Sequence, residues 1–77
     1  QQGVSISTDN SQADPSAILD VQSTDKGVLI PRLALQSGTL PIAAPVEGLL
    51  VYNTDATHYP KGFYYWNTSR AKFFRIF

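Results

Sequence analysis

The sequence predicts a small all-β fold, and three observations predict it. Two runs of strand-favouring residues, Leu49-Leu50-Val51-Tyr52 and Phe63-Tyr64-Tyr65-Trp66, are separated by a stretch dense in turn formers, Asn53-Thr54-Asp55 through Pro60-Lys61-Gly62. Apolar β runs bounded by Gly, Asn, Asp and Pro are the usual hairpin signal. Five prolines are spread over 77 residues, and no long window repeats its apolar residues at the helical interval. The length suffices for one small domain and not for two.

From the N-terminus, residues 1–16 read as an extended arm. Val4-Ser5-Ile6-Ser7 alternates, so Val4 and Ile6 share one face, as in a short edge strand. Residues 8–12 offer nothing to bury, and Asp14-Pro15-Ser16 is a turn-forming cluster. The single β module is then expected over 17–77. Ala17 to Gln22 is too short for a stable helix, and Leu19 and Val21 alternate with Asp20 and Gln22. Ser23 to Gly27 reads as a tight turn, and Val28-Leu29-Ile30 as a strand stopped by Pro31, which has no N–H for a central ladder. These pieces predict a hairpin over 17–32 whose outer face carries Asp20, Gln22 and Arg32.

Residues 33–47 have no period. Gly38, Pro41 and Pro45 exclude a long helix, yet Leu33, Leu35, Leu40, Ile42 and Val46 are apolar. The expectation is an irregular connector lying on a hydrophobic face. Residues 48–53, 62–66 and 71–77 then make a three-stranded antiparallel meander within 48–77, the minimum for a self-supporting sheet. Because strand side chains alternate, Phe63 and Tyr65 face one way and Tyr64 and Trp66 the other. In the last strand Phe73, Arg75 and Phe77 oppose Lys72, Phe74 and Ile76. Both faces of the meander are therefore apolar, and two strands alone cannot cover them. Candidate packing or assembly positions are Val4, Ile6, Leu19, Val21, Leu49, Val51, Phe63, Tyr65, Phe73 and Phe74.

Six acids balance six bases, but unevenly. Residues 1–55 carry all six acids against two bases, a net −4, whereas residues 56–77 carry four bases and no acid, a net +4. An acidic segment lying against a basic one, within a chain or between chains, produces such a split; so does chance distribution over a solvated surface.

The chemical inventory is short. There is no cysteine, hence no disulfide and no thiolate metal site. His58 is the sole histidine and falls in a turn region beside Tyr59 and Pro60, where nothing tunes a general base. The serines lack a nucleophile elbow, and the nucleophile arrangements lack members. Asp9, Asn10 and Asp14, or Asn53 and Asp55, offer oxygens without the alternating acidic pattern of a calcium loop. No catalytic residue, metal site or cofactor is expected. No phosphate-cradling glycine loop is present, four bases at zero net charge do not make a nucleic-acid surface, and no stretch approaches the ~20 apolar residues of a membrane span. Asn67-Thr68-Ser69 matches the N-glycosylation triplet. Tyr59, Tyr64 and Trp66, with Tyr52, have ring faces suited to a sugar as well as to a core, so a monomeric module binding a cell-surface glycan is the alternative function.

The order of short motifs is more specific. Gly3-Val4-Ser5-Ile6 is followed by Asp14-Pro15-Ser16-Ala17-Ile18-Leu19-Asp20-Val21, then by Ser23-Thr24-Asp25-Lys26-Gly27-Val28-Leu29-Ile30-Pro31-Arg32. Gly48-Leu49-Leu50-Val51-Tyr52-Asn53-Thr54 and Pro60-Lys61-Gly62-Phe63-Tyr64-Tyr65-Trp66-Asn67 complete the series. Nearly the whole chain thus resembles a module of exported Bacteroidota surface proteins and phage-tail-fibre-like proteins. It departs from that pattern at the last turn, where Asn67-Thr68-Ser69-Arg70-Ala71 replaces a shorter Asp-Gly turn and Phe73 stands for a Trp. The resemblance implies a non-enzymatic structural or adhesive piece of an extracellular fibre, cell-surface or virion appendage, self-associating as an intertwined homotrimer. A head-to-tail filament built by adding the Val4–Ser7 strand to a neighbour's open edge is the variant.

Overall fold

A computed structural model describes residues 3–36 and 41–76. It is all-β, with six strands in two sheets and no helix among the described residues. The strands are β1 (Val4–Ile6), β2 (Leu19–Val21), β3 (Arg32–Leu33), β4 (Leu50–Asn53), β5 (Gly62–Asn67) and β6 (Lys72–Arg75). The first sheet is the pair β1-β2; the second has the order β3-β4-β5-β6.

The expected meander is present as β4, β5 and β6, antiparallel throughout, with Val51 opposite Tyr64 and Trp66 opposite Phe73. The turn between β5 and β6 closes on Asn67, whose Oδ1 accepts from the Arg70 amide at 3.0 Å and the Ser69 hydroxyl at 2.9 Å. Ala71 completes it at φ 54°, a left-handed position that glycine would fill without steric cost.

The expected hairpin over 17–32 is corrected. β2 pairs not with residues 28–32 but with β1, in parallel, with Val4 opposite Leu19 and Ile6 opposite Val21. Residues 28–30 form no strand; the chain instead runs to β3, which lies parallel to β4 and adds a fourth strand to the meander. The chain bends at Thr24-Asp25, where Ser23 Oγ accepts from the amides of Asp25 and Lys26 at 3.2 and 2.9 Å. Beyond the bend, Pro31 withholds a donor but its carbonyl is used, by the Tyr52 amide at 3.0 Å. Parallel pairs need a crossover of about a dozen residues or more, and the segments between β1 and β2 and between β3 and β4 both provide it.

The core lies on one face of the second sheet. Leu35, Val51, Tyr64, Trp66 and Phe73 are buried, with Leu33, Ile42, Leu49 and Tyr59 packed against them. The connector therefore covers this face with Leu33, Leu35 and Ile42, as expected; Val46 does not join it and stays exposed. Leu40 and Phe77 lie outside the described residues.

Asn53 fastens the arrangement. Its side chain is fully buried. Oδ1 accepts from the Leu35 amide at 2.9 Å and the Asp55 amide at 3.1 Å. Nδ2 donates to the carbonyls of Asp55, Tyr59 and Pro60 at 3.0–3.1 Å. One amide thus joins the end of β4, the connector and the loop before β5, and every polar atom on it is satisfied.

The protein is elongated. Its radius of gyration is 15.4 Å and its extents are 44 × 27 × 21 Å, against about 11.5 Å for a compact chain of this length. No strand of the first sheet touches a strand of the second.

Candidate assembly surfaces

Two exposed apolar surfaces stand out, one on each sheet. The first belongs to the β1-β2 ribbon, and its polarity is the reverse of an ordinary half-buried sheet. Side chains alternate, so Val4, Ile6, Leu19 and Val21 occupy one face and Ser5 and Asp20 the other. The polar face is the covered one. Ser5 Oγ donates to the Ser11 carbonyl at 2.7 Å, Asp20 Oδ2 accepts from the Asp14 amide at 2.8 Å, and Gln22 Nε2 donates to the Gln12 carbonyl at 3.2 Å. The crossover loop 7–18 is thereby drawn over the polar face. The apolar face is left bare, with Val4 61%, Ile6 57%, Leu19 56% and Val21 42% exposed.

The ribbon is held tightly. The Val4 amide donates to the Ile18 carbonyl at 2.6 Å and the Gln22 amide to the Ile6 carbonyl at 2.8 Å. Gly3 permits this approach: a Cβ there would overlap the Ala17 carbonyl oxygen and lie 2.7 Å from that of Ile18. Within the loop, Asp14 Oδ1 accepts from the Ser16 amide at 2.9 Å and the Ser16 hydroxyl at 2.7 Å, and Asp9 Oδ1 accepts both donors of Ser11. These bonds hold both carboxyls below the usual carboxylate range, the hydroxyl contributing most. Asp55 is lowered in the same way by Thr57.

The second surface is the outer face of β4-β5-β6. Leu50, Phe63 and Ile76 are exposed, and Tyr52, Tyr65 and Phe74 are half-buried beside them. Cross-strand pairs order it: Tyr52 meets Phe63 edge-on at 5.0 Å between centroids, and Tyr65 meets Phe74 at 5.8 Å. Lys72 Nζ lies 5.2 Å from the Phe74 centroid. Alongside, Val28, Leu29, Ile30 and Arg32 border an apolar groove of about 150 Å³ that ends on Tyr52 and Phe63.

The candidate positions sort accordingly. Val4, Ile6, Leu19 and Val21 lie on the first surface, and Phe63, Tyr65 and Phe74 on the second. Val51 and Phe73 are buried in the core of their own chain, with Leu49 against them, and are not available to a partner. Leu50, Tyr52 and Ile76 are additions; their alternation with Val51 and Arg75 was the signal that could have found them.

Of the aromatic set considered for a glycan, two rings are buried. Trp66 is 7% and Tyr64 2% exposed; Trp66 packs on Phe73 at 5.1 Å, Tyr59 on Tyr64 at 6.1 Å. The Tyr64 hydroxyl donates to the Pro60 carbonyl at 2.7 Å, and burial pushes its pKa up. Tyr64 and Trp66 are thus buried in the core, and Tyr59 is half-buried against it. They lie on the core side because the connector, whose cover they receive, crosses that side. Asn53 has both side-chain polar atoms engaged with backbone groups and is no cation ligand.

The model of the family described as phage tail like trimerisation region matches residues 5–76. Neither a curated protein nor a solved structure matches the chain.

Proposed function

On the premise that the chain belongs to the phage tail like trimerisation family, we propose that it is a structural module that joins three copies of itself in a fibre-like appendage, on a virion or outside a cell. Its role is assembly rather than catalysis. The copies cover one another's ribbons, so the trimer is intertwined rather than a loose contact of finished globules.

The observation that carries this reading is the surface a single copy leaves bare. The chain exposes 5970 Å², whereas a compact monomer of its mass would expose about 4,650 Å². The excess, about 1,300 Å², is of the size a specific interface removes. The exposed side chains include Val4, Ile6, Leu19 and Val21 on one sheet and Leu50, Phe63 and Ile76 beside the other, and monomeric proteins avoid large apolar patches.

Sedimentation equilibrium and light scattering over a range of concentrations test the proposal. A species of three times 8.5 kDa that dissociates only on dilution supports it. A monomer at every concentration refutes it, and polymers that grow without limit replace it with the head-to-tail filament.

A further inference from the structure

Within that trimer, we infer that the β1-β2 stripe of each copy lies on the β4-β5-β6 outer face of the next, so that the contacts run head to tail around a closed ring. The inference deepens the trimer reading and rests on it. It says which surfaces meet, and that they are different ones.

Three observations carry it. First, each chain presents two apolar surfaces, and its own fold brings neither to the other, since the strands of the two sheets do not touch. A ring of heterologous contacts consumes two unlike patches per copy and leaves none over; packing three like patches about the axis would leave the second surface bare on every copy. Second, the charges match. Residues 3–27, which build the stripe and the loop behind it, carry Asp9, Asp14, Asp20 and Asp25 against Lys26 alone, a net −3. Residues 47–76, which build and flank the receiving face, carry Lys61, Arg70, Lys72 and Arg75 against Glu47 and Asp55, a net +2. Three stripes gathered at one axis would bring nine net negative charges together; alternating surfaces pair them with positive ones. Third, the area fits. In a ring of three there are as many interfaces as copies, so each would remove about 1,300 Å² in total, within the range of specific interfaces.

Cysteine cross-linking decides the point, because the natural sequence contains none. Leu19→Cys marks the stripe and Phe63→Cys the receiving face; both side chains are exposed in the single chain. Treated with a short bismaleimide at trimer-forming concentration, the double variant should give covalent dimers and trimers and nothing larger. Each single variant should stay monomeric on a denaturing gel. Covalent dimers from Leu19→Cys alone would show stripe on stripe, and from Phe63→Cys alone face on face; either overturns the inference while the threefold mass stands. A double variant that links nothing, its threefold mass intact, also overturns it. The absence of the threefold mass itself overturns the underlying trimer reading instead.

The unaltered protein supplies a second measurement. Opposite charges across the interface are screened by salt. The midpoint concentration for dissociation should therefore rise several-fold between about 0.05 and 0.5 M sodium chloride. A midpoint that falls with added salt marks like charges in contact and rejects the arrangement.

Discussion

Leu19 offers the most direct test of the bare ribbon. It is 56% exposed in the single chain, so roughly half of its apolar surface remains to be buried on assembly. Full burial of a leucine is worth ~1.5–3 kcal/mol, so Leu19→Ala should cost about 0.75–1.5 kcal/mol per copy and about 2–4.5 kcal/mol per trimer. At about 1.4 kcal/mol per decade, the trimer dissociation constant rises by roughly one and a half to three orders of magnitude. Three chains combine at once, so the midpoint concentration follows the square root of that constant and should rise about 6- to 40-fold. Leu19→Asp would carry a desolvation cost in addition and should abolish the trimer at working concentrations. The near-ultraviolet signal of Trp66, in the other sheet, should persist in both variants, separating lost assembly from lost folding. The assay is sedimentation equilibrium across a dilution series. A Leu19→Asp protein that trimerises at the wild-type midpoint would refute the reasoning, because it would show that the stripe stays solvated in the assembly.

Other expectations concern the fold that presents these surfaces. Asn53→Leu should lower stability by about 3 kcal/mol or more, read from urea unfolding, because the Leu35 and Asp55 amides lose their acceptor and three carbonyls lose their donor. Gly3→Ala should open the β1-β2 ribbon, seen as faster hydrogen exchange at the Val4 amide, since the added methyl meets the Ala17 and Ile18 carbonyls. Ala71→Gly should instead stabilise the β5-β6 turn by about 0.5–1 kcal/mol, because it relieves a left-handed alanine. In alkali, the raised pKa of Tyr64 means that its contribution is complete below the ordinary tyrosine value near 10 and is lost as the pH climbs through the folded value. Tyr64→Phe should therefore flatten the alkaline limb of stability while costing about 1 kcal/mol at neutral pH for the Pro60 bond.

Local chemistry made some of this architecture legible and left the rest hidden. The meander could be read because its strands are joined by short segments with recognisable turn formers, and because alternation alone sends Tyr64 and Trp66 to one side and Phe63 and Tyr65 to the other. The two parallel ladders could not. Val4 meets Leu19 and Arg32 meets Tyr52 across long crossovers whose turn formers do not say which strands will pair. The Ser23–Gly27 segment bends but closes no hairpin; turn formers do not say which strand will pair beyond them. Asn53 was hidden for a similar reason. In sequence it is one more turn former before Thr54 and Asp55, and only the return of the connector to place the Leu35 amide 2.9 Å from its oxygen reveals its use.

The same logic explains why the rings looked like ligand contacts and the ribbon did not look like an interface. Tyr59, Tyr64 and Trp66 are conspicuous as residues, but the connector residues Leu33, Leu35 and Ile42 cover their side of the sheet. Val4, Ile6, Leu19 and Val21 are inconspicuous, and a pattern of two apolar residues alternating with polar ones is ordinarily taken to point its apolar side inward. Here the loop 7–18 reverses that choice. Ser5, Asp20 and Gln22 give it three side-chain anchors on the polar face, and no residue described in the loop supplies a large apolar side chain except Ile18, itself exposed. A loop of that composition can satisfy polar groups but cannot sheathe aliphatic ones. Among the described residues no segment covers the stripe, and a second copy is the cover proposed for it.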